Sequence, residues 1–449
     1  MFAFLLRLPE RWPHTLMAIV AAGWAGMALL SAPLFNRTYI TNGSGVVVIL
    51  SFVLAFILGS WIVQLATRKD RPRAPESYVQ RDYRPLFVGV SVLAVLGVTL
   101  RLFDYLVLRS TEVALTEIAR RKIDVSSTAD ESTLGLIAAP MVAFCYFPVL
   151  VLALSNRKFP AAARFLAIGL ALFPAFEAVI FKGGTSGVAY ALLLFLCIYG
   201  LRPTRERTSR KLMTGRQKTL AATVVVGALV LSSMLYEARI KAMTGGSVGQ
   251  YLLYVQLAGQ NILTPSTLLQ QLLDLPVIGG VFVGVYWFCL YVTSGVYNLL
   301  FVLEVPAIHH TVGGTQLQVF IRAFDILTGN FSRPPIIDAN PLAGLYQTMF
   351  GDVFIDFGAI GGTLQCFGMG LVAGLVHRAR ERGYLAGQVL DPIFKTFIMM
   401  GIFISSLSAF GLFILLAALG TLVLATVLPS RSVVPVDARA PQSSGRELR

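Results

Sequence analysis

The sequence predicts an all-α, polytopic membrane protein, and three observations carry that prediction. Of the 449 residues, 56% are hydrophobic and only 13% are charged, about half the charge of a soluble domain. Apolar runs long enough for a helix to cross a bilayer recur along nearly the whole chain, while the short alternating segments of an outer-membrane barrel are absent. Lys and Arg gather in alternate connections, as the positive-inside rule requires of a chain that crosses repeatedly.

Spans are predicted over 15–35, 44–66, 85–108, 134–155, 161–181, 185–201, 218–236, 357–376, 393–409 and 411–428. That makes about 10 transmembrane helices, with 9–12 as the range. The first is read as a retained helix, because no small-residue cleavage site follows it. The third contains Arg101 and Asp104, expected to satisfy each other, and Glu177 near the end of the fifth is expected to partner Lys182.

The connections 1–14, 67–84, 156–164, 202–218, 377–395 and 429–449 hold 26 Lys and Arg, against 10 in 36–43, 109–133, the turn at Lys182 and 237–350. The first set is therefore cytoplasmic, together with both termini. The run 276–303 is apolar enough to cross, but charge parity demands an even number of crossings between Arg239 and Tyr346. It is read as a re-entrant or interfacial element, or as a helical hairpin. The organisation expected is a bundle of seven helices over 1–236, an exoplasmic or re-entrant substrate-binding segment over 237–350, further transmembrane helices over 351–428, and a disordered cytoplasmic tail over 429–449.

The net charge of +14 does not indicate nucleic acid, because the cations flank helices. All four cysteines lie in apolar runs without CxxC or Cys/His spacing, so no disulfide framework and no metal site is expected. No phosphate-binding loop or dinucleotide fingerprint occurs, which argues against nucleotide-driven pumping and hydride transfer, and no cofactor is expected. The "DFG" at 356–358 lacks the glycine-rich lid, strand lysine and HRD loop of a kinase and is accidental.

Chemistry is expected in a few places. In "FGDVFIDFGAIG", Asp352 and Asp356 stand four apart on one helical face. An acid at the hydrocarbon boundary faces a cavity or cation, or else ties down neighbouring backbone. Cations on the exoplasmic side are candidates for phosphate: Arg239 and Lys241 in "YEARIKAMTGG", Lys182 in "FKGGTSG", Arg120 and Arg121 beside Lys122, and Arg322 in "VFIRAFDIL". Snorkelling, or pairing with Glu237, Asp124 or Asp325, is the alternative. His309 and His310 are either a general base or polar loop residues.

Three stretches, "GGTSGVAYALLLFL", "YVTSGVYNLL…GGTQLQVFIRAFDIL" and "ANPLAGLYQTMFGDVFIDFGAIGG", in this order across roughly 180–375, resemble the bacterial oligosaccharide repeat-unit polymerases, the Wzy-type O-antigen polymerases. The resemblance implies a GT-C-like glycosyltransferase of the bacterial inner membrane, independent of metal and nucleotide. Such an enzyme transfers a glycan from undecaprenyl pyrophosphate to the sugar of an incoming lipid-linked repeat unit, building O-antigen or a related lipopolysaccharide component. The lipid-linked glycan substrates and the bilayer are the expected partners, and a chain-length regulator is a further candidate that the sequence leaves open. Arg239 and Lys182, with Arg322, would hold the pyrophosphate. Asp356 or Asp352 would be base or organiser, with His309 and His310 as rivals, and Asn340, Tyr346 and Tyr291 would line the sugar groove. A lipid-linked polysaccharide ligase, a glycan transporter or flippase, and a membrane scaffold are the competing readings.

Overall fold

The structure is a computed structural model that describes residues 8–37, 43–68, 80–108, 132–155, 159–180, 186–199, 263–273, 295–297, 299–303, 310–317, 320–321, 324, 328, 348–401, 410–428 and 432–433. The predicted span 218–236 and most of 276–303 lie outside these residues.

The described chain is helical apart from two short antiparallel strand pairs. The helices are α1 (Pro13–Ser31), α2 (Ser44–Ala66), α3 (Arg84–Phe103), α4 (Thr133–Val142), α5 (Phe147–Leu154), α6 (Ala161–Ile180), α7 (Ser186–Tyr199), α8 (Thr267–Leu273), α9 (Met349–Glu381), α10 (Leu385–Met400) and α11 (Phe410–Val427). Among the described residues, six helical segments are long and apolar enough to cross a membrane: Pro13–Leu34, Ser44–Ala66, Arg84–Leu108, Thr133–Leu154, Ala161–Ala178 and Met349–Glu381. The fourth joins α4 and α5 through a tighter turn at Ala143–Tyr146, bracketed by Pro140 and Pro148. Each proline deletes a backbone donor and bends the rod without ending it.

The outer faces fit lipid. On α2, Val47, Leu50, Leu54, Leu58, Trp61 and Leu65 are exposed, while Phe52, Phe56, Gly59, Ser60 and Val63 face inward. A continuous apolar stripe of this kind would aggregate in water and is at home in hydrocarbon. These features mark a membrane protein.

Two cores share one helix. Val389, Ile393, Phe397 and Met400 of α10 join a core built with α3, α5, α6, α7 and α11. Ile398 and Met399 of the same helix join a second core with α1, α2 and α9. Helix α10 is thus wrapped on all sides, and Lys395 in its middle is fully buried.

Helices α2 and α9 run parallel in close contact. Ser51 meets Thr363, Gly59 meets Phe367 and Leu371, Val63 meets Gly374, and Arg378 donates to the Thr67 carbonyl. At Gly59 and Gly370 the partner is backbone, so no side chain fits there. Small residues let the two axes approach to backbone contact, the usual way membrane helices associate without a hydrophobic driving force.

The strands tie the bundle ends. At one end β1 (Phe35–Arg37) pairs with β3 (Leu263–Pro265). Ser266 N–H donates to the Leu34 carbonyl, Tyr297 OH donates to the Ala28 carbonyl at 3.2 Å, and Leu300 and Leu303 pack on Gly45. At the other end β2 (Gln80–Arg81) pairs with β4 (Ser432–Val433).

Two expectations change in detail. The predicted span 357–376 is the latter part of α9, which starts at Met349, includes both aspartates, and is broken at Gly358. The connection read as 377–395 shrinks to 382–384, because α10 begins at Leu385.

Candidate functional site

Helix α9 starts with Thr348, whose side chain caps the N–H of Gly351. Asp352 sits in the first turn, where a carboxylate complements the helix dipole, and is buried. One turn later Asp356 is 0% exposed. Two residues on, Gly358 adopts φ 66°, ψ −169°, a region that is essentially glycine-only.

That break releases the carbonyls of Ile355 and Asp356 from the helical ladder. A turn from a distant part of the chain takes them up: Thr311 N–H donates to Ile355 O at 3.2 Å and Val312 N–H to Asp356 O at 2.9 Å. The Asp356 carboxylate completes the grip. Its Oδ1 accepts from the Thr311 hydroxyl and from Thr315 N–H at 2.8 Å, and its Oδ2 accepts from Gln316 N–H at 3.1 Å. Gln316 and Gln365 exchange amide hydrogen bonds of 3.2 and 2.8 Å, a second clamp further along α9. Within the turn Val312 is held at φ 49°, unusual for a β-branched residue, followed by Gly313 at φ 91°.

His310 heads this turn and is exposed. Its Nδ1 lies 3.3 Å from the Ile355 carbonyl, which can only accept, so Nδ1 is the donor in this contact. The ring edge packs on Phe354, with centroids 5.7 Å apart, and its face covers Gly358. A Cβ on Gly358 would lie 2.8 Å from Nε2, so glycine is required twice over, for conformation and for space.

Of the residues singled out in the sequence, the structure therefore brings Asp356 and His310 together, with Asp352 one turn away. His309, Arg239, Lys241, Lys182, Arg322, Asn340, Tyr346, Tyr291, Arg120 and Arg121 lie outside the described residues. Sequence reasoning missed Thr311, Thr315, Gln316, Gln365 and the role of Gly358. The "TVGGTQ" turn formers were a signal for a tight loop, but nothing in them names the partner. Among the described residues no group of three or more His, Cys, Asp or Glu side chains is placed to hold a metal ion.

A second buried polar cluster lies in the helices themselves. Arg101 Nε donates to Glu177 Oε1 at 2.8 Å and Nη1 to the Gly135 carbonyl at 2.9 Å, with Asp104 at 3.7 Å. Tyr105 OH donates to the same Glu177 oxygen at 3.0 Å, its ring lies under the guanidinium, and Ser132 hydrogen-bonds Asp104. This corrects the expectation that Arg101 and Asp104 satisfy each other alone. Glu177, expected to partner Lys182, is the closer carboxylate to Arg101, because α3 and α6 bring both to the same depth.

A third cluster joins α9 to α10 at the end opposite the turn. Asp391 accepts from Arg380 at 2.6 Å and Lys395 at 2.8 Å through Oδ2, and its Oδ1 lies 2.8 Å from His377 Nδ1. Three of the cations counted in the 377–395 connection, Arg378, Arg380 and Lys395, are thus helical and paired. The spacing of Asp391 and Lys395, four apart in an apolar run, was the available signal.

No family model matches the chain, and neither a curated protein nor a solved structure matches it.

Proposed function

We propose that the chain is a membrane glycosyltransferase that polymerises oligosaccharide repeat units carried on a polyprenyl pyrophosphate. The observation that carries this reading is the clamped turn 310–316. It lies inside the segment that resembles the repeat-unit polymerases, it is fixed to α9 by Asp356, and it carries the exposed His310.

Geometry supports the roles of Asp356 and His310, and the resemblance supports those of Arg239, Lys182 and Arg322. Asp356, buried and accepting three hydrogen bonds, is a positioning residue. His310 is the base: as the acceptor hydroxyl bonds to the anomeric carbon of the donor, its proton passes to Nε2. The bond from that carbon to the pyrophosphate breaks with its electron pair on the leaving oxygen. Arg239 and Lys182 are assigned to stabilise that charge, with Arg322 as a third candidate.

The membrane topology belongs to the same proposal. Helices α2 and α9 run parallel, and an even number of described rods separates them: α3, α4–α5, α6 and α7. In this proposal the chain between α7 and α9 crosses an odd number of times, as one span at 218–236 with no net crossing over 237–350 provides. The proposal then has ten spans, with the turn on the exoplasmic face and both termini cytoplasmic.

The test is the polymer made in cells that depend on this gene. With His310→Asn or Arg239→Ala at normal protein levels, single repeat units should replace the length ladder. Full ladders from both variants would overturn the assignment. Long chains left unattached to their final acceptor would instead identify a ligase.

A further inference from the structure

The group around His377 lies at the far end of α9 from the turn and has no part in the proposed transfer. From Asp356 to His377 the helix runs about 30 Å. His377, Asp391 and Lys395 are at most 3% exposed. Among the described residues, polar, charged and aromatic groups from several elements face them. Trp12 and His14 come from the start of α1, Arg378, Arg380 and Glu381 from α9 itself, and Cys197 from α7. Helix α2 adds Ser60, bonded to His14, and the Thr67 carbonyl.

One atom in this group has two neighbours with opposite demands. His377 Nδ1 lies 2.8 Å from Asp391 Oδ1, which can only accept, and 3.1 Å from Lys395 Nζ, which as an ammonium can only donate. With a proton on Nδ1 the aspartate is satisfied and the ammonium is opposed. With the proton on Nε2 the lysine is satisfied and two lone pairs face each other. A full imidazolium satisfies Asp391 but sets two cations side by side, with Arg380 close behind. The histidine and lysine therefore titrate as one unit, and each proton placement favours a different position of Lys395.

We propose that His377, Asp391 and Lys395 form a proton-operated latch between α9 and α10. The latch is closed while the imidazole is neutral. A proton taken up from the aqueous face at this end makes the imidazolium, displaces Lys395, and loosens the hairpin whose other end carries the clamped turn.

Trp12 reports on the latch directly. Its ring meets that of His377 edge-on with centroids 4.7 Å apart, and an imidazolium in such contact quenches indole emission. In the full-length protein in nanodiscs, emission should fall reversibly with a single midpoint as the pH is lowered. Trp12→Phe should remove the transition, and His377→Gln should abolish it. Lys395→Met, which keeps the histidine and removes the neighbouring charge, should move the midpoint upward by about one unit or more. A flat curve in the unaltered protein, the same curve in His377→Gln, or an unmoved midpoint in Lys395→Met would each overturn the latch.

Discussion

Asp356 Oδ1 accepts the backbone N–H of Thr315 at 2.8 Å across forty-one positions of sequence. A buried carboxylate on one helix thus dictates the backbone of a turn that it could never reach along the chain. Replacing it tests the turn. In Asp356→Ala the hydroxyl and two amide donors lose their acceptor, at about 1–3 kcal/mol for each buried donor left unmatched. Asp356→Asn should cost less, because one oxygen remains, although its NH2 then opposes an N–H. Thermal unfolding in detergent measures the order, and limited proteolysis at 310–316 should rise in parallel.

Gly358→Ala separates positioning from stability. The backbone there is closed to other residues, and the new methyl meets His310 Nε2. The variant should lose about tenfold or more in polymer formation, since a small misplacement of a reacting group is costly. His310→Gln should lose more, and the double variant should lose no more than His310→Gln alone, whereas independent roles would give multiplicative losses.

The buried pair Arg101–Glu177 should behave asymmetrically. Arg101→Met leaves Glu177 uncompensated and should destabilise by about 3–5 kcal/mol. Arg101→Met combined with Glu177→Leu should recover part of that, because the Glu177 charge is gone while the Asp104 carboxylate still lacks the Arg101 cation. A double-mutant cycle on melting temperature reads the coupling, and simple additivity would show that the two do not act as a pair.

Gly370→Val probes the contact of α2 with α9. A side chain there collides with the Phe56 carbonyl, so the helices must separate. A loss of about 1–3 kcal/mol or more is expected, with lower yield in the membrane. Gly368→Val, whose site has open space around it, is the control and should be nearly silent.

How far the sequence could be read follows from which interactions are local. Hydrophobic length and charge alternation are properties of contiguous residues, so α1, α2, α3, α6 and α11 fall within a few positions of the predicted spans. The start of α9 was placed late because Asp352 and Asp356 lower local hydropathy, and the docked turn is what satisfies the buried Asp356 carboxylate. The start of α10 was placed late for a similar reason: Asp391 reads as a loop residue until Lys395 and Arg380 neutralise it. Glu177 was given a neighbour in sequence, Lys182, while its described partner Arg101 stands 76 positions away.

The chain's own order of residues settles that this is a helical membrane protein, how its apolar rods are spaced, and which glycines and acids interrupt them. Those features arise from the cost of placing charge or unpaired backbone in hydrocarbon, and that cost is paid residue by residue. Whether Asp356 is a base or a clamp, and which acid meets Arg101, depends instead on groups brought together by packing of helices far apart in sequence. Directional hydrogen bonds over about 3 Å make that choice, and a linear pattern carries no distance between its distant members.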